Sequence, residues 1–218
     1  MIVTLLKKEL TLELRRKSVL FGIGVYLISL IFITYLTFSL RHNQINEATW
    51  SALFWITILF VTINSVAKSF IGERKGLSLY YYTIASAQAV LISKILSNTI
   101  LSFALSLCGY FLFATLIYNP IEDHAIFIVT LLLTSIGFSA ALTLLSAIAS
   151  RANNSHVIHA ILSFPVLLSV LLMAIRITKN LLDQIDPSAS YDELLNLLAI
   201  NSILTGLACV LFPYIWRS

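Results

Sequence analysis

The sequence predicts an all-α, polytopic membrane protein with six transmembrane helices. Of its 218 residues, 59% are hydrophobic and only 11% are charged, and its mean hydropathy is +0.93. Soluble domains carry roughly twice that share of charged residues, so a water-facing surface is excluded. The chain also contains six long stretches without a single charge. These observations point to a bundle of helices that folds in lipid.

Each of the six uncharged stretches is 18 to 26 residues long. A hydrocarbon layer about 30 Å thick requires roughly 20 apolar residues in a helix. The runs are continuous, whereas strands of a membrane barrel alternate in polarity. The rest of the chain is too divided to bury a second core, so residues 1–218 are expected to form one membrane domain. The predicted spans are 19–40, 50–67, 95–118, 125–150, 157–175 and 194–216.

The distribution of Lys and Arg predicts which side each connection occupies. With the N-terminus in the cytoplasm, 11 of the 14 lie inside, and only Arg41, Arg176 and Lys179 lie outside. The positive-inside rule therefore places both termini in the cytoplasm. Because topology accounts for the net positive charge, no nucleic-acid partner is expected.

The first 18 residues are predicted to form an amphipathic helix on the membrane surface. Ile2, Leu6, Leu10 and Leu14 recur at a spacing of four residues, and basic residues occupy the other faces. This pattern is typical of a helix that lies in the interface without crossing the membrane.

The cytoplasmic connection 68–94 is much longer than a simple link between helices requires. Its sequence predicts a short helix, a break near Ser86 with that residue as N-cap, and then a long helix into the third span. An apolar and aromatic element beside charges suits a docking surface for a soluble partner. A Tyr belt at the membrane interface is the alternative interpretation.

The outer connection 176–193 is also amphipathic. Ser190 and Glu193 have the spacing of a capping box ahead of the last span, which predicts a small helical element on the outer face. A simple hinge is the alternative. Within the third and fourth spans, small and polar residues predict close packing between helices.

The sequence lacks the motifs of an enzyme or of an ATP-driven motor. No P-loop, zinc-protease or serine-hydrolase motif occurs, so catalytic residues and metal ligands are not expected. His156 and His159 share one helix face, which does not clamp both sides of a haem. No intrinsic cofactor is therefore expected.

The assembled pattern resembles one known family. An amphipathic N-terminus, six spans with both ends inside and an insertion after the second span resemble ABC-2-type permeases. The run Phe70-x-x-Glu73-x-x-Gly76-x-x-Leu79, followed by Lys94, resembles the haem exporter protein B family of the cytochrome c maturation complex. This chain departs from the family pattern in having fewer acidic residues there and Tyr residues 80–82 in the helix.

This resemblance implies a permease subunit, coupled to a separate cytoplasmic ATPase and involved in haem export for c-type cytochromes. It also implies a location in a bacterial inner membrane, a second membrane subunit, a small accessory subunit and a periplasmic haem chaperone. The resemblance leaves two roles open for haem: it crosses through this subunit as cargo, or ATP hydrolysis only drives release of the loaded chaperone. The candidate residues for ATPase coupling are Phe70, Glu73, Arg74, Gly76, Leu77, Leu79 and Tyr80. The candidates for cargo contact are Arg41, His42, Arg176 and Lys179.

Two other functions stay open at this point. The chain could be the permease of an ABC-2 exporter for another amphipathic cargo, such as a lipid, drug or glycan. It could instead be a membrane protein that binds haem through its histidines for electron transfer.

Overall fold

The computed structural model describes residues 1–39, 46–66, 86–150, 155–183 and 187–217. Every regular element in these ranges is an α-helix. The helices are α1 (Ile2–Arg15), α2 (Lys17–Ser39), α3 (Glu47–Val66), α4 (Ala87–Leu116), α5 (His124–Ser150), α6 (Ser155–Leu182) and α7 (Pro187–Arg217). Six of them, α2 to α7, are long and apolar enough to cross a membrane. The all-α fold class with six membrane-length helices is thereby confirmed.

Local sequence signals explain several helix ends. Ser86 is the N-cap of α4, where its hydroxyl accepts a hydrogen bond from the Ala89 amide, as predicted. Asp123 caps α5 in the same way, because its Oδ1 accepts hydrogen bonds from the amides of Ala125 and Ile126. Arg16 separates α1 from α2 with a backbone conformation outside the helical region (φ −79°, ψ 56°).

Helix α5 is the centre of the bundle and packs against α3, α4, α6 and α7. Five small residues of α5 are buried: Ser135, Gly137, Ser139, Ala140 and Ala141. Small side chains let neighbouring helix backbones approach closely, as the sequence predicted. Helix α2, by contrast, exposes apolar side chains such as Phe21, Val25 and Phe32 along its length. An exposed apolar surface on a membrane-length helix is suited to lipid.

The outer connection differs from its prediction. Helix α6 continues to Leu182 and α7 begins at Pro187, so most of 176–193 belongs to these two helices and not to a separate element. The prediction ended the fifth span before the charge of Arg176. In the structure the helix continues because Ile177, Leu181 and Leu182 on its inner face are buried.

The prediction of a capping box at Ser190 and Glu193 was also wrong. Ser190 and Glu193 lie inside α7, after its start at Pro187, and proline suits the first turn of a helix because it has no amide hydrogen to satisfy there. Helix α4, by contrast, begins at Ala87, directly after the predicted N-cap Ser86, and Lys94 lies about two turns inside it.

Candidate functional site

An ion pair joins the N-terminal helix to the beginning of α4. Lys94 Nζ donates a hydrogen bond to Glu9 Oε2 at 3.3 Å, and Lys8 Nζ donates one to Glu9 Oε1 at 3.0 Å. The side chain of Lys94 is only 3% exposed and that of Glu9 is 13% exposed. We call this contact the α1–α4 junction and the end of the bundle where it lies the α1 end.

The charge state of Glu9 follows from these neighbours. Burial by itself raises the pKa of Glu9, but the positive charges of Lys94 and Lys8 and their hydrogen bonds outweigh burial. The pKa of Glu9 therefore lies below its ordinary value of 4.5. Glu9 is thus a carboxylate near neutral pH, and the junction is ionic.

Apolar packing supports the junction. Leu5 of α1 contacts a cluster of buried side chains from the beginning of α4 and the ends of α5 and α7. The cluster includes Val90, Leu91, Ile95, Ala147, Phe212 and Trp216. Phe212 and Trp216 also lie close together, with ring centroids 5.3 Å apart. The α1–α4 junction is therefore embedded in the same packing that joins three membrane-length helices.

Polar contacts continue from the junction into the bundle between α4 and α5. Asn98 Nδ2 donates a hydrogen bond to Thr143 Oγ1 at 2.8 Å, and Ser139 Oγ donates one to Ser102 Oγ at 3.4 Å. Hydrogen bonds between membrane helices add stability of roughly 0.5 to 2 kcal/mol each. Helices α4 and α5 are thus linked by polar contacts as well as by small residues, and are expected to move together.

A second polar contact joins α5 to α7 near the middle of the bundle. Asn201 Nδ2 donates a hydrogen bond to the carbonyl of Leu133 at 2.7 Å. Gly137 leaves room for this side chain, because a Cβ there would collide with Asn201 Oδ1 and lie 3.0 Å from Val170. A glycine is therefore required by the close approach of α5, α6 and α7.

Aromatic residues dominate the opposite end of the bundle, which we call the far end. Trp50, Phe54, Phe113 and Phe127 form a buried cluster with ring centroids 5.3 to 6.2 Å apart. Trp50 Nε1 donates to the Tyr118 carbonyl at 2.9 Å, which ties α3 to the residues after α4. This end is rigid packing and shows no catalytic arrangement among the residues that the structure describes.

Two further contacts hold the far end. Trp55 Nε1 donates to Thr178 Oγ1 at 2.8 Å, which joins α3 to α6. Tyr110 Oη lies 3.0 Å from His124 Nδ1 at the surface. Across the described ranges, no three His, Cys, Asp or Glu side chains gather as metal ligands would.

The predicted site residues are distributed unevenly. All seven candidates for ATPase coupling, from Phe70 to Tyr80, lie outside the described residues, as do Arg41 and His42. Arg176 and Lys179 lie near the end of α6 and are exposed. Arg176 Nη1 is 3.9 Å from Glu193 Oε1, a weak ion pair between α6 and α7.

Sequence reasoning missed the α1–α4 junction. Glu9 and Lys94 are separated by 85 positions, and hydropathy only marked each as a charge next to an apolar stretch. One signal was available: a lysine within the first turns of a long apolar helix requires a partner or a route to water. That signal flags Lys94 but does not identify Glu9.

The geometry suggests what this end of the molecule can do. Helix α3 ends at Val66 and α4 begins at Ala87, so the segment 67–85 leads directly into α4. Within about three turns of its beginning, α4 is bound to α1 by the junction and to α5 by a hydrogen bond. A force applied to that segment would therefore reach three helices together.

Comparison with known proteins gives one match. The family model described as "CcmB protein" matches residues 1–212, nearly the whole chain. No curated protein matches the chain.

Proposed function

The chain belongs to the CcmB family of ABC transporter permeases for haem export and c-type cytochrome maturation, and from this premise we propose that a separate cytoplasmic ATPase drives it. A member of this family is a transporter subunit and not an enzyme. The family match favours this function over an exporter of unrelated cargo and over an electron-transfer protein.

The observation that best supports coupling is the α1–α4 junction. The candidate coupling residues precede α4, whose beginning is fixed to α1 through a partly buried ion pair. A docked ATPase that moves segment 67–85 would shift the whole of α4, because the beginning of this helix is held to α1. Because α5 contacts α4 and is central, the shift would spread through the bundle.

The proposal includes an orientation and a set of partners. The α1 end is cytoplasmic, as is the C-terminus, because basic residues concentrate there. The complex contains a second membrane subunit and a small accessory subunit, and it serves a periplasmic haem chaperone. Haem is cargo in this proposal and not a resident cofactor.

At the far end, exposed cations could receive an anionic group of the cargo or chaperone. Arg176 and Lys179 lie one turn apart on α6, and haem propionates carry the matching negative charge. We extend the proposal to this pair, together with Arg41 and His42. Reversing both charges on α6 should lower c-type cytochrome assembly without releasing the ATPase.

The coupling proposal is tested by charge reversal on both sides of the membrane. Glu73→Lys should reduce co-purification of the ATPase and lower c-type cytochrome levels together, because it disrupts the docking surface. Glu122→Lys is the matched control, since it makes the same charge change in the connection between α4 and α5. If Glu73→Lys and Gly76→Leu both retain the ATPase and support full cytochrome assembly, the docking assignment is wrong.

The orientation is tested separately with topology reporters. Fusions of alkaline phosphatase and green fluorescent protein at position 76, at position 121 and at the C-terminus should report cytoplasm, periplasm and cytoplasm. A periplasmic signal at position 76 would remove the basis for any ATPase contact there.

A further inference from the structure

A polar cleft opens on the side of the bundle at the α1 end, next to the α1–α4 junction. Its volume is about 380 Å³, and its walls come from the end of α1, the first turns of α2, the end of α3 and Asn98 of α4. Pockets for small molecules usually measure roughly 300 to 1,000 Å³, so the cleft can hold a compact polar group. Nothing in the proposed transport function uses it.

The charged lining of the cleft has both signs. Glu13 and Arg16 come from the end of α1 and its C-cap and line the same cleft. Glu13 is half-buried and Arg16 is exposed. A purely anionic ligand would meet Arg16 favourably but would be repelled by Glu13. A ligand that carries both a negative and a positive group satisfies both residues.

The inner wall offers hydrogen-bonding groups. Ser65 lines the cleft, and its hydroxyl is buried without a hydrogen-bond partner in the structure. Asn64 lies beside it and is exposed; its Nδ2 donates to the Phe60 carbonyl at 3.0 Å. Because the Asn64 side chain is exposed and lines the cleft, its amide is the polar group on this wall that a ligand can contact.

The outer wall connects the cleft to the lipid. Val19 and Gly22 line the cleft and are exposed on α2, a helix long and apolar enough to cross a membrane. A Cβ added at Gly22 would meet no other atom within 4 Å. Glycine is therefore not needed here to avoid a clash, and its lack of a side chain leaves a gap in the wall of the cleft. Because Arg16 and Lys17 lie just before this apolar helix, the cleft is at headgroup depth.

From these contacts we infer that the cleft binds the headgroup of a zwitterionic phospholipid of the ethanolamine type. The phosphate lies toward Arg16, the ammonium lies toward Glu13, and the acyl chains follow the exposed apolar face of α2. A lipid fits better than a soluble solute, because the opening beside Gly22 faces the membrane. The bound lipid would hold the α1–α2 corner beside the α1–α4 junction.

The test measures lipid retained by the full-length chain. The chain is purified in mild detergent, supplied with phosphatidylethanolamine, phosphatidylglycerol or phosphatidylcholine, and analysed by native mass spectrometry as the detergent is increased. One phosphatidylethanolamine per chain should remain after the others have dissociated. Arg16→Gln should weaken its retention at least about tenfold, the factor expected from losing one charged hydrogen bond.

A second variant fills the cleft without removing a charge. Gly22→Leu should abolish selective retention, whereas Gly206→Leu on exposed α7 should not, although a Cβ at either glycine meets no atom within 4 Å. Unchanged thermal unfolding in both variants confirms that they fold. Equal retention of all three lipids, unaltered retention in Gly22→Leu, or displacement by soluble phosphoethanolamine at equal concentration would each overturn the inference.

Discussion

Neutralising Glu9 should release α1 from the bundle. Lys94 is 3% exposed and lies 3.3 Å from Glu9, so Glu9→Gln removes a negative charge that lies directly against a buried ammonium. Removing one partner of a buried ion pair costs about 3 to 5 kcal/mol. We take the lower value, because glutamine still accepts a hydrogen bond. A loss of about 3 kcal/mol corresponds to roughly a hundredfold change in an equilibrium constant.

The assay is amide hydrogen exchange in α1, read by mass spectrometry on the purified chain in lipid nanodiscs. Exchange of residues 2–15 should accelerate by roughly a hundredfold in Glu9→Gln, because those amides exchange when α1 detaches. Lys7→Gln is the matched control, since it removes one charge from an exposed position of α1. Exchange should change little there, because Lys7 does not take part in the pair between Glu9 and Lys94.

A double substitution distinguishes the ion pair from simple packing. Glu9→Leu combined with Lys94→Met should restore much of the protection, because apolar replacements of a buried pair are often neutral or stabilising. The reasoning would be refuted if Glu9→Gln accelerated exchange in α1 no more than Lys7→Gln. It would also be refuted if the double variant were as unprotected as Glu9→Gln.

Three other predictions concern the junction, the centre and the far end. The pKa of Glu9 is lowered, so its stabilising effect is present above the unfolded pKa near 4.5 and is lost as the pH falls through the folded pKa. Acidification should therefore lower the protection of the α1 amides, measured against their intrinsic exchange rates at each pH, in the wild type but not in Glu9→Gln. Gly137→Ala should lower the free energy of unfolding by about 1 to 3 kcal/mol, because the added methyl group displaces Asn201; a midpoint in thermal unfolding equal to that of the wild type would contradict this. Trp55→Phe removes the hydrogen bond to Thr178 and should lower the free energy of unfolding by about 1 kcal/mol or slightly more, measured by the same unfolding assay. Thr178→Val should lower it by a similar amount. If the double variant lost the sum of the two single losses, the direct contact would be disproved.

Much of the fold was readable from the sequence because the relevant signals are local. Apolar runs predicted all six membrane-length helices, and Ser86 with its following residues predicted the beginning of α4. The small residues of α5 predicted its close packing, and the structure shows that α5 is also the centre of the bundle. The charge of Arg176 misplaced the end of α6, because a helix continues past a charge that reaches water.

The sequence by itself therefore determined that this chain is a helical membrane protein, where its spans lie and which family it resembles, since hydropathy, capping and short motifs act over neighbouring residues. Only the tertiary structure decided that Glu9 meets Lys94 across 85 positions. The cleft beside Gly22 likewise exists only in the folded chain, because its lining residues come from four different helices. Pairing and cavity shape depend on how helices cross, and the periodicity of a single helix carries no information about its neighbour's position.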